Sequence, residues 1–141
     1  MAGLGSITPA CGYVSVNAAL IIGAVAGVIC YFAVLCKEQL GYDDSLDVVG
    51  IHGVGGVWGT LATGIFASRI VNPEGADGLL AGNPAFLGIQ AIGVVSILVY
   101  CALATGIILF IVKALTGLRV ASEEEEAGVD TSAHGEAGYN F

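Results

Sequence analysis

The sequence predicts an all-α membrane protein, a polytopic bundle of transmembrane helices with about three complete spans. Of the 141 residues, 56% are hydrophobic and only 11% are charged, and the mean hydropathy is +0.88. A soluble domain carries about a quarter charged residues, so this chain lacks the polar surface that water requires. Its four Lys and Arg residues are too few for a nucleic-acid-binding patch. We therefore expect lipid, and no nucleic acid, around this chain.

The spans are delimited by windows without charged side chains, at 1–36, 48–68 and 78–112. About 20 apolar residues cross the hydrocarbon core of a bilayer, so the first window is too long for one helix and too short for two. Pro9 divides it, because the residue before a proline avoids the helical region. We therefore expect residues 1–13 to be the remnant of a preceding span and its connection, followed by a transmembrane helix at 14–36.

The remaining windows each hold one further span. We expect one helix at 48–68 and a long one at 84–115, whose 32 residues correspond to about 48 Å of helix against a core of about 30 Å. Such a helix has to tilt or project from the membrane. The connections are a loop at 37–47 and a loop at 69–83, and residues 116–141 form a polar C-terminal region.

The basic residues predict the orientation of the spans. Lys37, Lys113 and Arg119 fall on one side of the predicted membrane, and Arg69 is alone on the other. Basic residues are enriched in cytoplasmic loops. This bias makes the loop at 37–47 and the C-terminal region cytoplasmic, and the loop at 69–83 external.

Small residues recur at a spacing typical of helix contacts in lipid. Gly23 and Gly27 form one GxxxG pair, and Gly55 and Gly59 form another. Such pairs allow close approach of helix backbones, so we expect these spans to be packed against other helices. The four cysteines form no CxxC pair and are interpreted as small buried hydrophobes rather than disulfide or metal sites. No metal and no cofactor are expected.

His52 is the single ionisable residue between Asp47 and Arg69. Ionisable residues inside a span generally face the interior of a bundle or an aqueous pathway and are functional candidates. On a regular helical wheel, His52 shares one face with small residues, Gly55, Gly56, Gly59 and Thr63. The alternative is a structural histidine that forms a hydrogen bond with a neighbouring helix. The carboxylates lie only in loops and tail, so no Ser-His-Asp arrangement forms, and no enzymatic activity is expected.

Three stretches carry a family resemblance. The run DDSLDVVGIHGVGGVWG at 43–59 resembles the penultimate-helix region of ammonium transporters of the Amt/MEP type. AGLGSITPACGYV at 2–14 is similar to the lead-in to the ninth helix of that family. GLRV at 117–120, with DTSAHGEAGYN at 130–140, is similar to its cytoplasmic C-terminal region. The order of these motifs identifies the chain as the C-terminal portion of a family member.

The resemblance implies an eleven-helix, trimeric transporter with a narrow hydrophobic pore in each subunit. Ammonium is recruited outside, loses its proton and moves inward as ammonia past two paired histidines. His52 matches the second of these histidines, and Val48, one turn earlier, matches an apolar pore-lining position. Asp47 matches the acidic residue at the inner end of the helix and is interpreted as a helix cap and loop anchor.

The tail combines a local signal with the resemblance. Ser122 precedes Glu123, Glu124 and Glu125 in a capping-box arrangement, which predicts a short helix from about Glu123 to Ala127, ended by Gly128. The resemblance implies that the tail packs under the cytoplasmic face, bridges subunits and couples to a PII-type signalling protein. Arg119 would anchor it on the acidic loop formed by Asp43, Asp44 and Asp47.

The expected function is ammonium transport, as the C-terminal fragment of a transporter in the plasma or inner cell membrane. The resemblance places the first pore histidine, the aromatic outer gate and the cation-recruitment site in the other half of the family's sequence. The alternative is a non-transporting membrane module that assembles with or regulates full-length transporters, or an ammonium sensor.

Overall fold

The computed structural model describes residues 1–138, so the end of the predicted C-terminal region, 139–141, lies outside the described part. The described residues are all-helical, without a β-strand. The helices are α1 (Ala2–Ile7), α2 (Val16–Leu40), α3 (Val54–Phe66), α4 (Pro84–Leu115) and α5 (Ser122–Ala127). Within residues 1–138, three helical segments are long and apolar enough to cross a membrane: Val16–Leu40, Val49–Phe66 and Pro84–Leu115. The chain divides into two compact units, residues 1–98 and 99–141.

The first segment of the chain is short and broken. α1 continues into a 3-10 turn at Thr8–Ala10, and Pro9 lies in this turn, where its fixed φ and missing N–H interrupt the regular helix. Ser6 and Ala10 are fully buried. This segment packs against both α2 and α3.

α2 is longer than the apolar run that predicted it. The side chain of Ser15 caps the helix by accepting a hydrogen bond from the Ala18 N–H at 3.4 Å. The helix ends at Leu40, and Gly41 follows in the left-handed conformation, with φ of 65°. The predicted end at residue 36 is therefore corrected. Lys37 is the first charged residue after the apolar run, but the helix continues until a glycine permits the terminating geometry.

The core of the first unit consists of small contacts between distant segments. Ala10, Ile22 and Ala62 are fully buried together, and Trp58 packs against them. The Trp58 indole N–H donates to the Ile22 carbonyl at 3.1 Å. Trp58 is therefore a structural link between α3 and α2.

The connection from α3 to α4 is compact. Ser68 N–H donates to the Tyr13 carbonyl at 2.9 Å, and Gly78 N–H donates to the Ala67 carbonyl at 2.8 Å. A 3-10 turn at Leu79–Ala81 leads to α4. These bonds fold the predicted external loop back onto the connection that precedes α2 and onto the end of α3.

α4 is a continuous helix of 32 residues, none of which is buried within the described part of the chain. Its close approach to α3 occurs at Gly64. A Cβ atom built at that glycine would lie 2.9 Å from the Leu87 Cα and 3.1 Å from the Gln90 Cγ. Only a residue without a side chain permits this separation.

In the second unit, α5 follows the end of α4 and is succeeded by a π-helical turn at Asp130–His134. The N-cap of α5 is Ala121, not the predicted Ser122, which is already helical. Alanine has no capping oxygen, so only one half of the capping box forms: the Glu124 carboxylate accepts from the Ala121 N–H at 3.1 Å. Gly128 ends the helix with φ of 90°.

Candidate functional site

A π-helical turn at Val49–Gly53, called the π turn below, leads into α3 and carries His52. Its geometry is shown by the Val54 N–H, which donates to the Val49 carbonyl five residues earlier. A π turn holds more residues than an α turn and is frequent at functional sites. A wheel with a constant α-helical period therefore does not describe the faces of this span.

The structure corrects the predicted face of His52. Gly55 and Gly59 are buried, whereas His52 is exposed in this chain. Of the predicted face, only Gly56 lines the same cavity as His52, and Thr60 joins them there in place of the buried residues. The physical reason is the wide π turn, which changes the register between His52 and the α-helical residues that follow.

The opposite face of this span packs too closely to accommodate any side chain larger than glycine. A Cβ atom at Gly50 would lie 2.9 Å from the Val34 Cγ2. The equivalent atom at Gly55 would lie 2.8 Å from the Ser6 Oγ, and at Gly59 it would lie 2.0 Å from the Ser6 carbonyl oxygen. Gly50, Gly55 and Gly59 thus form one face, called the glycine face, which presses against α1 and α2.

The two GxxxG pairs differ in their contacts. The pair Gly55 and Gly59 belongs to the glycine face, and its partners are α1 and α2 rather than helices beyond this chain. At Gly23 and Gly27, an added Cβ atom would meet no heavy atom within 4 Å in the described part of the chain. Among the described residues, only the pair Gly55 and Gly59 therefore forms a tight helix contact.

The cavity beside His52 lies between α3 and the first half of α4. It has a volume of about 300 Å³. Apart from His52 and Thr60, its walls carry only glycine and aliphatic side chains. The lining residues are His52, Gly53, Gly56, Val57, Thr60, Gly93, Val94, Ile97 and Leu98. The Thr60 hydroxyl donates to the Gly56 carbonyl at 2.9 Å, so the imidazole is the principal polar group of this cavity.

The His52 imidazole is available for a hydrogen-bonding ligand. Within residues 1–138, neither ring nitrogen forms a hydrogen bond with a protein group, so the structural alternative of a bond to a neighbouring helix is not formed there. A neutral imidazole offers one donor and one acceptor. Among the same residues, no group of three His, Cys, Asp or Glu side chains converges as a metal site would require.

The start of the span is held by two aspartates with different tasks. The Asp44 carboxylate caps the helix, accepting from the Val48 N–H at 2.9 Å and the Val49 N–H at 2.8 Å. The Asp47 carboxylate binds the Lys37 ammonium group, which also donates to the Asp44 carbonyl at 2.9 Å. The predicted side-chain cap at Asp47 is therefore corrected to Asp44.

The backbone explains this division of tasks. Asp47 has a φ of 55°, and its carbonyl accepts from the Ile51 N–H at 2.9 Å, so it occupies the N-cap position with its main chain. Its side chain turns to Lys37 at the end of α2 instead. Asp47 thus ties the loop to the preceding helix.

Val48 lies directly before the π turn and is 47% exposed. The cavity lining within residues 1–138 does not include it. A role for Val48 in a pore stays a prediction, since the described cavity extends from His52 towards Thr60.

Arg119 and Glu125 form a bidentate ion pair in the second unit. The Arg119 Nε and Nη2 each donate to one carboxylate oxygen of Glu125, at 2.8 Å in both cases. The hydrogen bond from Arg119 lowers the pKa of the Glu125 carboxyl. The sequence did not predict this partner, and docking of Arg119 on the acidic loop stays a prediction.

Cys30 is a residue whose role the sequence reading did not identify. The prediction that the four cysteines are buried holds for Cys30, which is only 2% exposed, and is wrong within this chain for Cys11, Cys36 and Cys101, which are exposed. The Cys30 thiol also donates to the Ile51 carbonyl at 3.8 Å, next to His52. The position of Cys30 in an apolar run of the sequence predicts that the side chain is buried, but it does not predict which group the thiol contacts.

The fold and the site can be compared with known proteins. A sequence profile of the Ammonium Transporter Family matches residues 1–139. The ammonium transporter of Aquifex aeolicus is 51% identical over 142 residues, which cover 100% of this chain and 33% of that protein. The ammonium transporter of Bacillus subtilis is 43% identical over 99% of this chain and 35% of that protein.

Solved structures show the same similarity. The crystal structure of Saccharomyces cerevisiae Mep2 matches with a TM-score of 0.80 and 37% identity, over 86% of this chain and 29% of that chain. Candida albicans Mep2 matches with a TM-score of 0.78 and 37% identity, over 87% of this chain and 28% of that chain. The chain spans about a third of the length of these curated relatives.

The apolar helices and these relatives identify an integral, multi-pass membrane protein. By a match that extends over residues 1–139, the chain belongs to the Ammonium Transporter Family.

Proposed function

We propose that this chain supplies the C-terminal third of an ammonium transporter and that His52 lines its conduction pathway. The observation that carries the proposal is that His52 lines a cavity whose other walls are largely aliphatic. Relatives of this chain are named ammonium transporters. His52 is also the single ionisable residue between Asp47 and Arg69.

The chemistry of the cavity favours a neutral, hydrogen-bonding solute over a cation. Burial of an isolated ammonium-type charge in an apolar medium is very costly, whereas a neutral amine needs only its hydrogen bonds replaced. Imidazole can donate to or accept from ammonia without itself carrying charge. Ammonium would accordingly transfer a proton to water outside the cavity before it reaches His52 and would pass the imidazole as ammonia.

The elements around His52 would keep this pathway narrow and dry. The glycine face holds the span against α1 and α2 at backbone contact distance. Asp47, through its bond to Lys37, would anchor the loop at the inner end of the pathway. Val48 would contribute apolar surface one turn from His52, with its exposed side directed at helices beyond those described.

The surroundings of the chain follow from the same proposal. We place the C-terminal region in the cytoplasm, because Lys37, Lys113 and Arg119 outweigh Arg69. The native protein would be a homotrimer in the plasma or inner cell membrane. Its tail would be the contact for a PII-type signalling protein, as the resemblance of residues 117–120 and 130–140 implies.

The test is the substitution His52→Ala in the native protein that carries this sequence, reconstituted in vesicles. Loss of a hydrogen bond to a desolvated solute costs about 1–3 kcal/mol, so ammonium uptake should fall about tenfold or more. His134→Ala is the matched control, because this second histidine is exposed in the tail. Uptake and ion selectivity equal to the wild type in His52→Ala would overturn the proposal.

A further inference from the structure

We propose that Cys30 is a positioning residue for His52, and this inference rests on the proposed function. The thiol donates to the Ile51 carbonyl inside the π turn and thereby fixes where the neighbouring imidazole stands in the cavity. Cys30 belongs to α2, and it does not line the cavity itself. It acts through the backbone of the span that carries His52.

The first support is the direction of the thiol. The Cys30 Sγ lies 3.8 Å from the Ile51 carbonyl oxygen, although the two residues are 21 positions apart. A buried S–H group is a weak donor and has few possible partners in an apolar helix contact. Cys30 is 2% exposed, so water does not compete for this bond.

The second support is the rigidity of the link between the contact and the imidazole. The Ile51 carbonyl belongs to the peptide bond that joins Ile51 to His52, and that bond is planar. A rotation of this peptide plane would therefore also move the Cα of His52. A donor that holds the carbonyl in place restricts the position of the imidazole as well.

The third support is the packing around the same turn. A Cβ atom at Gly55 would lie 3.2 Å from the Cys30 Sγ. A Cβ atom at Gly5 would lie 3.8 Å from the His52 Nδ1 and 4.0 Å from the Ile51 carbonyl oxygen. Cys30 on α2 and Gly5 on α1 therefore bracket the π turn from two helices.

The π turn gives this contact its importance. Its Val54 N–H reaches back to Val49, so the turn departs from the regular hydrogen-bond ladder of α3. Such turns persist where the surrounding structure supports them. Within residues 1–138, the interior of this turn receives one hydrogen bond from a side chain to its backbone, and the donor is Cys30.

The experiment compares Cys30→Ala with Cys30→Ser in the native protein that carries this sequence. Both side chains are smaller than cysteine, and only serine keeps a donor. We measure the uptake of ammonium and of methylammonium, together with thermal unfolding.

Cys30→Ala should lower ammonium uptake about threefold and change the ratio of the two rates. Cys30→Ser should keep the wild-type ratio. Cys36→Ala, at an exposed cysteine of the same helix, is the control.

A double-substitution cycle separates positioning from general stability. In the His52→Ala background, Cys30→Ala should cause no further change in the ratio of ammonium to methylammonium uptake. A wild-type ratio in Cys30→Ala, with an altered ratio in His52→Ala, would overturn the inference and leave the proposed function intact. If His52→Ala itself changes nothing, the proposed function fails and the inference fails with it.

A spectroscopic measurement covers the case in which Cys30→Ala does not fold. The infrared difference between the wild type and Cys30→Ser isolates the S–H stretch of Cys30. We expect it at a lower frequency than the band of the exposed cysteines, because the thiol donates to a carbonyl. A band at the frequency of the exposed thiols would contradict the proposal.

Discussion

α3 with its π turn and α4 are both apolar enough to span a membrane. They differ in burial, in side-chain composition and in helical regularity. A third of the most apolar window of Val49–Phe66 is buried within the chain, whereas none of the corresponding window of Pro84–Leu115 is. The former has a glycine face, an ionisable side chain and a π turn. The latter is a regular helix with aliphatic residues on all sides and no buried position in the described chain.

The difference shows that hydropathy alone identifies spans but not their tasks. α4, the more hydropathic helix, has the composition of a span that faces lipid or partner helices. The span of α3 has glycine at positions where α4 has apolar side chains, and glycine permits backbone contact with α1 and α2. Close contact on one face allows the other face to hold His52 beside a cavity. The following predictions test whether this contrast holds.

The largest effect is expected at the closest contact of the glycine face. In Gly59→Ala the new Cβ atom would lie 2.0 Å from the Ser6 carbonyl oxygen, so a backbone segment has to move. We expect a loss of about 3 kcal/mol or more in the free energy of unfolding, measured by thermal unfolding in detergent. Gly88→Ala on α4, where a Cβ meets nothing within 4 Å, should be neutral or slightly stabilising. Equal behaviour of the two variants would remove the contrast between the spans.

Two neighbouring glycines give a sharper test of the register. A Cβ atom at Gly55 would lie 2.8 Å from the Ser6 Oγ and 3.2 Å from the Cys30 Sγ, whereas one at Gly56 meets nothing within 4 Å. Gly55→Ala should therefore cost about 1–3 kcal/mol of unfolding free energy. Gly56→Ala should not destabilise, since alanine favours a helix. The reverse order would mean that the π turn does not set the faces as described.

A smaller effect is expected at the start of the same span. Asp44→Ala removes the carboxylate that accepts from the Val48 and Val49 amides, and loss of such a cap costs about 1 kcal/mol. Asp44→Asn keeps a capping oxygen and should cost only a few tenths of that value. Thermal unfolding of the two variants measures how much the capping carboxylate contributes to stability. If Asp44→Ala matches the wild type while Asp47→Ala does not, the cap belongs to Asp47 after all.

The smallest effect concerns the tail, which lies outside both spans. The Arg119 guanidinium lowers the pKa of the Glu125 carboxyl. A lowered folded-state pKa means that the stabilisation is present above the pKa of the unfolded chain and is lost as pH falls through the folded value. Acidification below that range should expose the segment between Arg119 and α5 to limited proteolysis. Arg119→Gln should abolish this pH dependence and return the Glu125 pKa, measured by NMR titration, towards its ordinary value.

The sequence predicted the spans well because their signal is one of composition. The all-α class and the three apolar helices follow from windows without charge, and the apolar run delimits α4 from Pro84 onward. The end of α2 was predicted four residues too early, because the run of apolar residues stops at Lys37 whereas the helix stops at Gly41.

The site was harder to predict, because its geometry depends on contacts across the fold. A helical wheel assumes a constant period, so it placed His52 with Gly55 and Gly59. The π turn changed that register. The choice of Asp44 over Asp47 as cap depends on where Lys37 lies, which no local pattern encodes. The direction of the Cys30 thiol is likewise a property of the packed helices.

The central claim is that the cavity beside His52 belongs to the pathway of ammonium. An experimental structure of the native protein, determined in the presence of methylamine, tests it most directly. We expect the amine nitrogen in the cavity within about 3 Å of a His52 ring nitrogen, with Thr60 and Val94 beside it. A cavity filled by a neighbouring helix or by lipid, with the amine bound far from His52, would contradict the account.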